Sequence, residues 1–368
     1  MHIEKITVYG LFGSSQKLEL NFNKDLNIIT GRNGSGKTTL LKLAWFVMSG
    51  NILHALREVN FSSIEIKTTE YECNVIRTGP LHCSVELKYQ GQLQVFEDDS
   101  GDPNEDPFFE SAEDKAGPKI SAIGRTIFFP TFRRIEGGFS LETGRKTRTR
   151  NALRIDSEID EALAALSKRL GSEEHVFVSA ISTQDIVQLL LKRYATFSEE
   201  INTFQTEVSK SVIDKIRRYE ETETANKDAN TILSETRLDI ESIETFREDT
   251  MKPLDAVRLL VERLFQHSGI SFGTRLNFGD AAAAVNSNLL SAGEKQMLSF
   301  ICYNAFYNNA VIFIDEPELS LHVDWQRQLF HILSGQESGN QFIFATHSPF
   351  IYGKYPDKEI AIGLDRGE

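Results

Sequence analysis

Both ends of the chain alternate short apolar runs with helical patterns. Near the start, apolar residues at alternate positions or in short runs predict strands over Ile3–Val8, Lys17–Phe22 and Asn27–Thr30. The third predicted strand leads into a glycine-rich turn, and a helical pattern follows over Lys37–Met48. A strand, a glycine-rich loop and a helix in this order form the setting that a phosphate-binding loop requires.

The region after this helix predicts a second group of strands. Phe61–Phe96 is rich in strand-forming residues, and Gly91 marks a hairpin turn within it. Asp98–Pro118 is acidic and contains several Gly and Pro residues, so we expect a mobile loop there. A short apolar run over Ile123–Phe129 predicts one more strand.

The middle of the chain becomes highly charged. The pattern predicts a helix over Ser157–Leu170 and a strand over Val176–Ile181. Thr183–His267 is mostly helical in pattern, and we expect Pro253 to break it. The apolar spacing is irregular and shows no sustained heptads. We therefore expect a helical arm or lobe, or a short stub of antiparallel coiled coil, in place of a long coiled coil.

The last hundred residues return to alternating strands and helices. The pattern predicts helices over Asn288–Tyr307 and Val323–Leu333, and strands over Ala310–Ile314, Gln341–Ala345 and Glu359–Leu364, the last at a sheet edge. The two ends together predict an α/β fold, with helices on both faces of a mixed sheet.

The expected domain organisation follows from where the alternating strands and helices lie, with the glycine-rich loop among them. Because they come from both ends of the chain, we expect residues 1–150 and 268–368 to form one composite domain. Residues 151–267 are then a mainly helical insertion into it.

The composition is that of a soluble globular protein, with 40% hydrophobic and 25% charged residues in a chain of 368. No stretch approaches the ~20 apolar residues of a membrane-spanning helix, and the first residues lack a signal-peptide pattern. We therefore expect a cytoplasmic protein without a membrane partner. The three cysteines form no CxxC pair, which argues against a disulfide framework and against a zinc site.

The charge balance bears on nucleic-acid binding. A net charge of −13 disfavours non-specific nucleic-acid binding over the whole surface, but it does not exclude a local basic groove. The basic stretch Arg145–Arg150 is the local candidate for such a groove.

The strongest chemical signal is a complete phosphate-loop motif, G-x-x-x-x-G-K-[ST], between Gly31 and Thr38. Its glycines let backbone N–H groups point at phosphate, and the N-terminus of the next helix adds the positive end of its dipole. Lys37 is expected to reach the β- and γ-phosphates, and the Thr38 hydroxyl to bind Mg²⁺. The predicted cofactors are ATP and Mg²⁺, and the nucleotide-binding set is Arg32, Asn33, Gly34, Ser35, Gly36, Lys37, Thr38 and Thr39.

A second motif ends the predicted strand Ala310–Ile314 in two adjacent carboxylates, Asp315 and Glu316. We expect Asp315 to hold Mg²⁺, usually through water, and Glu316 to activate the attacking water as general base. The alternative is a buried strand that ends in an acidic turn. The phosphate loop elsewhere in the chain argues for the catalytic interpretation.

A third motif begins the helix predicted over Asn288–Tyr307. Ser291 and Glu294 have the spacing of a capping box, in which each side chain accepts from the other residue's backbone N–H. A capped helix N-terminus with Gly293 close by is also an anion-binding site. The two interpretations are compatible.

A family resemblance supports the anion-binding interpretation of this segment. Leu290–Gln296, with the sequence Leu-Ser-Ala-Gly-Glu-Lys-Gln, resembles the signature motif of ABC ATPases in the variant of SMC, RecF and OLD-type proteins. The resemblance implies an ABC-type P-loop ATPase head. In that superfamily the signature contacts ATP bound to the partner subunit. Ser291 and Gly293 would therefore act in trans, in a head-to-tail homodimer around two ATP molecules.

Two further segments carry the resemblance. His347, after the predicted strand Gln341–Ala345, looks like the switch histidine of ABC ATPases, which implies contact with the γ-phosphate and the attacking water. Glu318–His322 resembles the D-loop in its OLD-like form, which is expected to couple the two sites of a dimer.

One departure concerns the Q-loop glutamine, which we cannot place. Phe128–Glu136 occupies a plausible position without a glutamine. Within it, Arg133 or Arg134 could reach phosphate or nucleic acid, or belong to a surface ion-pair cluster.

The resemblance extends to a type of ATPase. The charged helical middle resembles that of the ATPase subunits of phage-defence systems such as Septu, PARIS and some retrons, and we expect no Toprim nuclease domain after the ATPase. This implies a sensor or regulatory subunit, as a homodimer or higher oligomer, which controls a separate nuclease or toxin effector from the same operon. The alternative is a RecF- or SMC-like repair or recombination ATPase acting directly on DNA, with Arg145–Arg150 as local support.

Overall fold

The structure is a computed structural model that describes residues 1–14, 16–99, 109–131, 134–135, 162–163, 165–181, 183–221, 229–264 and 290–363. The chain forms two compact units. The first comprises Met1–Ser182, Ser291–Phe300 and Tyr307–Glu368, and the second comprises Thr183–Leu290 and Ile301–Phe306.

The first unit contains a six-stranded antiparallel sheet within the described residues. Its strands, in the order β2-β1-β4-β5-β6-β7, are β1 (Ile3–Tyr9), β2 (Lys17–Asn21), β4 (Ser63–Thr68), β5 (Tyr71–Arg77), β6 (Cys83–Tyr89) and β7 (Gln92–Phe96). The hairpin predicted at Gly91 is confirmed, because Gln90 and Gly91 both have positive φ between the paired residues Tyr89 and Gln92.

The second sheet of this unit is parallel. Its strands, in the order β10-β8-β12-β13-β3-β14, are β3 (Leu26–Thr30), β8 (Thr126–Phe129), β10 (His175–Phe177), β12 (Val311–Asp315), β13 (Gln341–Ala345) and β14 (Glu359–Ala361). A separate two-stranded pair joins β9 (Arg134–Ile135) to β11 (Ala180–Ile181). The expected α/β fold is confirmed, and β14 lies at the predicted sheet edge.

The helices of the first unit are α1 (Lys37–Met48), α2 (Ile52–Glu58), α3 (Ala112–Ser121), α7 (Val323–Ser334) and α8 (Pro349–Tyr352), and α6 (Ala292–Phe306) begins in it. Helix α1 has the bounds that the sequence predicts. Nine of its twelve residues are buried, and Lys42 is partly exposed. Side chains of α1 and of both sheets form one hydrophobic cluster, in which Trp45 is fully buried and its ring stacks on Phe128.

The two sheets are joined by one buried amide. Gln341 begins β13, and its side chain accepts a hydrogen bond from the backbone N–H of Ile3 (2.7 Å) and donates one to the carbonyl of the same residue (2.8 Å). These bonds satisfy backbone groups of β1 that lie in the protein interior. They fix the start of the antiparallel sheet against the strand that ends at the candidate site.

The mobile loop predicted over Asp98–Pro118 is wrong for its last part, because residues from Ala112 onward form helix α3. Ser111 caps the helix by accepting from the N–H of Asp114. Gly117 lies within this helix, and its backbone packs against that of Gly50. A Cβ on Gly117 would stand 2.8 Å from the Gly50 carbonyl oxygen, so only glycine fits there. The glycine therefore serves a close approach of two backbones, and it does not mark a loop.

The second unit contains two long helices, α4 (Thr183–Glu221) and α5 (Ala229–Leu264). The helices run antiparallel, since Phe204 stacks on Phe246 and Lys215 pairs with Asp239 at 2.7 Å. The break predicted at Pro253 is wrong, because α5 continues through that residue. Proline costs the helix one backbone donor, and this helix retains its form on either side. None of the helices within the described residues is long and apolar enough to cross a bilayer.

The unit boundary differs from the expected insertion of residues 151–267. Strand β10 lies within that range but pairs with β8 in the parallel sheet of the first unit. The second unit accordingly begins at Thr183. The basic stretch Arg145–Arg150 and Arg133 lie outside the described residues, and Arg134 begins β9. Of the helix predicted over Ser157–Leu170, residues 157–161 and 164 lie outside them, and residues 162–163 and 165–170 are helical.

Candidate nucleotide-binding site

The candidate site lies at one edge of the parallel sheet. Strands β8, β12, β13 and β3 are neighbours, and their register pairs Asp315 with Ala345 and Ala345 with Ile29. The carboxyl ends of these strands therefore coincide. In open α/β sheets ligands bind outside these ends. The phosphate loop, the Asp315–Glu316 pair and His347 each follow one of these strands.

The phosphate loop connects β3 to α1 in the predicted setting. Gly34 (φ 82°) and Gly36 (φ 92°) adopt the left-handed conformation that side chains avoid. Of the predicted binding residues, Arg32 and Asn33 are exposed on the loop, and Thr38 and Thr39 lie in the first turn of α1. The helix N-terminus thus faces the space above the loop.

The Ser35 side chain shows that the loop has a polar group suited to phosphate. Its hydroxyl oxygen is buried, and it has no hydrogen-bond partner among the described residues. A buried polar atom of this kind needs a partner, and a phosphate oxygen would supply one. The donor set of the loop therefore fits an anion.

Lys37 is almost fully buried beneath the loop. Its ammonium donates to the carbonyl oxygens of Gly31 (3.2 Å) and Arg32 (3.4 Å), and it lies 2.5 Å from Nε2 of His347. Because an ammonium group only donates, Nε2 accepts, and the imidazole is neutral with its proton on Nδ1. Burial lowers the pKa of Lys37, against the attraction of nearby carboxylates that include Glu316.

Asp315 ends β12 and is fully buried. Its Oδ1 accepts from the Thr38 hydroxyl at 3.0 Å, and its Oδ2 accepts from the hydroxyl of Thr131. Carboxylate and hydroxyl oxygens are the hard ligands that Mg²⁺ prefers. The predicted metal-binding residues Thr38 and Asp315 are thus brought together, and their oxygens fit the ion.

Glu316 follows Asp315 in a left-handed backbone conformation (φ 50°), which is costly for a residue other than glycine. Its N–H donates to the carbonyl of Ala345, and its carboxylate lies 3.7 Å from Nε2 of His347. Burial, followed by the neighbouring carboxylates of Glu318 and Asp315, raises the pKa of Glu316 to about 8. A carboxyl group with this proton affinity suits a general base near neutral pH.

The loop that carries His347 is held by Glu318. The Glu318 carboxylate accepts from the Thr346 hydroxyl (2.7 Å) and from the backbone N–H of His347 (2.8 Å). Burial and the positive charge of Lys37 lower the pKa of His347. Glu318 thereby fixes the position of a neutral histidine opposite Lys37 and Glu316.

The signature segment forms the predicted capping box at the start of α6. The N–H of Ser291 donates to the Glu294 carboxylate (2.7 Å), and the N–H of Glu294 donates to the Ser291 hydroxyl (3.3 Å). Gly293 lies against the loop after β12, where an added Cβ would stand 2.3 Å from the carbonyl oxygen of Ser320. Gln296 donates to the carbonyl of Pro317 at 2.9 Å.

The single chain therefore groups the predicted residues into two sets. Contacts join Lys37, Thr38, Asp315, Glu316 and His347 into one cluster. Within the part of the chain that the structure describes, no hydrogen bond or ion pair links Ser291 or Gly293 to that cluster. Gly293 lies instead against Ser320, in the loop that follows the carboxylates of that cluster.

Two residues at the site, Thr131 and Phe12, were given no role by the sequence, although Thr131 lies in the segment Phe128–Glu136 considered for the Q-loop. Thr131 bonds Asp315, as described above. The ring of Phe12 lies against the phosphate loop, 2.5 Å from where a Cβ on Gly36 would stand, and Phe12 itself has a left-handed backbone (φ 57°). The sequence could not show either contact, because neither spacing nor composition indicates which loop meets which strand end.

Comparison with protein families shows which family the chain belongs to. The family model AAA_21, described as "AAA domain, putative AbiEii toxin, Type IV TA system", matches residues 26–352. The chain belongs to this family. The match runs from β3 to the end of α8 and so includes the phosphate loop, the carboxylate pair and His347.

Curated relatives match parts of the chain. The "Chromosome partition protein Smc" of Thermoplasma acidophilum is 35% identical over 74 residues, which are 20% of this chain and 6% of that protein. The "Retron Vc95 probable ATPase" of Vibrio cholerae serotype O1 biovar El Tor is 23% identical over 165 residues, which are 41% of this chain and 30% of that protein. The chain therefore spans less than a third of the length of either relative.

Solved structures of Smc head domains cover the whole chain at low similarity. The head of Pyrococcus furiosus with an extended coiled coil, bound to the C-terminal domain of ScpA, gives a TM-score of 0.40 at 14% identity, with 94% of that chain covered. The head of Pyrococcus yayanosii with a coiled coil and joint gives 0.43 at 14% identity and 96% coverage. Neither value carries a functional conclusion.

Proposed function

We propose that the protein binds and hydrolyses ATP. The observation that carries this proposal is the convergence of Lys37, Thr38, Asp315, Glu316 and His347 at one edge of the parallel sheet. Membership of the AAA_21 family supports it.

The roles follow from the contacts. Lys37 and the loop N–H groups bind the β- and γ-phosphates, and Thr38 and Asp315 hold Mg²⁺, which neutralises phosphate charge when bound. Glu316 takes the proton of the attacking water, and His347 contacts the γ-phosphate and that water. The Lys37 ammonium lies 2.5 Å from Nε2 of His347, so the two groups can contact the same phosphate.

The proposed active form is a head-to-tail homodimer. In a single chain Ser291 and Gly293 have no described contact with the Lys37 cluster, and Ser291 is exposed at a capped helix N-terminus. Such an end attracts anions. A second chain would bring its own Ser291 and Gly293 to the γ-phosphate. The contact of Gly293 with Ser320, in the loop after the carboxylates, would then couple the two sites.

The proposed biological role is that of a cytoplasmic sensor or regulatory subunit of an anti-phage complex. The similarity to a retron ATPase supports this role, and the antiparallel helices α4 and α5 offer a surface for a separate effector, a nuclease or toxin. Affinity purification of the protein from its native host, with and without ATP, tests it. A bound effector encoded by the same operon is expected, and a preparation that never retains one contradicts the role.

A pair of lysines on α1 tests the ATPase proposal. Lys37→Ala removes the buried ammonium, so we expect it to abolish hydrolysis and to weaken binding of a fluorescent ATP analogue. Lys42→Ala is the matched control, because Lys42 makes only a partly exposed ion pair with Glu58 at 3.9 Å. Equal hydrolysis by wild type and Lys37→Ala would remove the proposal.

A repair or recombination ATPase acting on DNA is the second candidate, and the similarity to an Smc protein is its support. It predicts salt-dependent binding of duplex DNA by the isolated protein, lost when the basic residues of Arg145–Arg150 are changed to Ala. Absence of binding at low salt argues against it.

A further inference from the structure

Thr131 reaches the candidate site through the order of the strands. It lies two residues beyond β8, and β8 pairs in parallel with β12, with Phe129 opposite Ile314. The residues that follow the two strands therefore emerge side by side. This places the Thr131 hydroxyl on the carboxylate of Asp315.

Two threonine hydroxyls share that carboxylate. Thr38 donates to Oδ1 and Thr131 donates to Oδ2, so each oxygen has its own donor. Asp315 is fully buried, and water does not reach its side chain to replace a lost donor. The two bonds together fix the rotation of the carboxylate about its Cβ–Cγ bond.

We propose that Thr131 is a positioning residue for the metal that accompanies the nucleotide. By holding Oδ2, it keeps Oδ1 of Asp315 directed at the Thr38 hydroxyl, and these two oxygens are the proposed metal-binding pair. The inference rests on the proposed function, since it needs a metal–nucleotide complex at this site. Thr131 acts through Asp315 and does not itself touch the ion.

The proposal predicts which property of the protein depends on Thr131. Partners that orient a metal-binding side chain, when removed, typically cost 10–100-fold in metal affinity. Nucleotide binding without metal relies on the phosphate loop, which Thr131 does not contact in the described hydrogen bonds. Metal affinity and metal-free nucleotide affinity should therefore separate.

The experiment uses Mn²⁺ as the probe, followed by electron paramagnetic resonance in the presence of ADP. Thr131→Val preserves the shape of the side chain but cannot donate, and Thr131→Ser restores the donor. Thr7→Val is the matched control, because Thr7 is a buried threonine on β1 whose hydroxyl has no partner among the described residues. ADP affinity in EDTA and the thermal midpoint are measured on every variant.

We expect Thr131→Val to weaken Mn²⁺ binding about tenfold or more, with ADP affinity in EDTA within about twofold of wild type. Thr131→Ser should recover Mn²⁺ affinity, and Thr7→Val should not change it. Wild-type Mn²⁺ affinity in Thr131→Val overturns the inference and leaves the proposed function standing. An equal loss in EDTA also overturns it, because Thr131 would then act on the whole loop. A wild-type protein that binds no nucleotide removes both proposals.

Discussion

The ammonium of Lys37 lies 2.5 Å from Nε2 of His347, although 310 residues separate the two in the chain. The contact joins the first turn of α1 to the loop after β13. It keeps His347 neutral, since a second positive charge at this distance from an ammonium is unfavourable. The protonation state of the histidine is therefore coupled to the phosphate-binding lysine.

The first prediction tests this coupling. Lys37→Met removes the positive charge that lowers the pKa of His347, so that pKa should rise, while the contribution of burial remains. Titration of the histidine ring signals by NMR measures the shift. His54 serves as the internal control, because its pKa is lowered by burial and by arginines outside this site. An unchanged pKa of His347 would show that the contact does not persist in solution.

The second prediction concerns stability and Glu316. The ordinary pKa of a glutamate is 4.5 and the folded value is about 8, so between these values the folded state binds more protons than the unfolded state. The free energy of unfolding of the wild type should therefore fall as pH rises through this window. Glu316→Gln removes this dependence. Its stability advantage should grow from pH 5 to pH 8, to the order of 1 kcal/mol after allowance for solvent screening.

Thermal unfolding of both proteins across this pH range measures the difference. Glu19→Gln gives a control of opposite sign, because hydrogen bonds from Lys17 and Lys5 lower the pKa of Glu19 to about 2. Stability from that residue is present above its ordinary pKa and lost as pH falls toward 2, so Glu19→Gln should destabilise at neutral pH. A constant difference between wild type and Glu316→Gln at all pH values contradicts the pKa assignment.

These contacts also show what the sequence could predict. Lys37, Asp315, Glu316 and His347 lie in motifs whose residue types and order indicate their chemistry, and the adjacent apolar runs indicate buried strands. Their convergence follows once those strands are parallel neighbours. The structure accordingly brings these four residues together beside the carboxyl ends of the parallel strands, and their chemical roles stay predictions.

The rest depended on tertiary contacts that leave no local pattern. Thr131 meets Asp315 only because β8 lies beside β12, and the sequence does not give that strand order. Gly117 suggested a loop because local sequence cannot show that Gly50 lies against it. Trans action of Ser291 involves a second chain, and a single sequence indicates it only through resemblance.

The third prediction concerns the carboxylate that holds the histidine loop. Glu318→Ala leaves the Thr346 hydroxyl and the His347 N–H without their acceptor, and Thr346 is fully buried. We expect a loss of about 1–3 kcal/mol of stability. The value of kcat should fall more than the affinity for ATP, because the released loop carries His347 and leaves the phosphate loop in place. Steady-state kinetics and urea unfolding measure the two effects.

Glu86→Ala is the control for this variant. Glu86 also accepts a side-chain hydrogen bond, from Asn74 at 3.1 Å, but it lies on the antiparallel sheet. It should change kcat little. If Glu318→Ala keeps the wild-type kcat at a temperature where it is folded, the loop does not need Glu318 to position His347.

The fourth prediction separates action in trans from action in cis. Lys37→Ala disables the phosphate loop, and Ser291→Arg places a bulky side chain where the signature would meet phosphate. Each variant alone should be inactive. In a head-to-tail dimer that contains one chain of each, one site combines both changes and the other combines an intact phosphate loop with an intact signature. Mixing the two variants should therefore restore roughly a quarter of wild-type ATPase activity, since half of the dimers are mixed and each has one good site.

Two controls make the mixing experiment decisive. Ser291→Arg also removes a helix cap, which costs about 1 kcal/mol, so its thermal midpoint must show that it is folded before mixing. Lys37→Ala mixed with Glu316→Gln should stay inactive, because Lys37 and Glu316 belong to the same cluster within one chain and every mixed dimer then lacks a complete site. No restoration in the first mixture would mean that Ser291 does not complete the site of a partner chain. Restoration in the second would mean that Lys37 and Glu316 act from different chains.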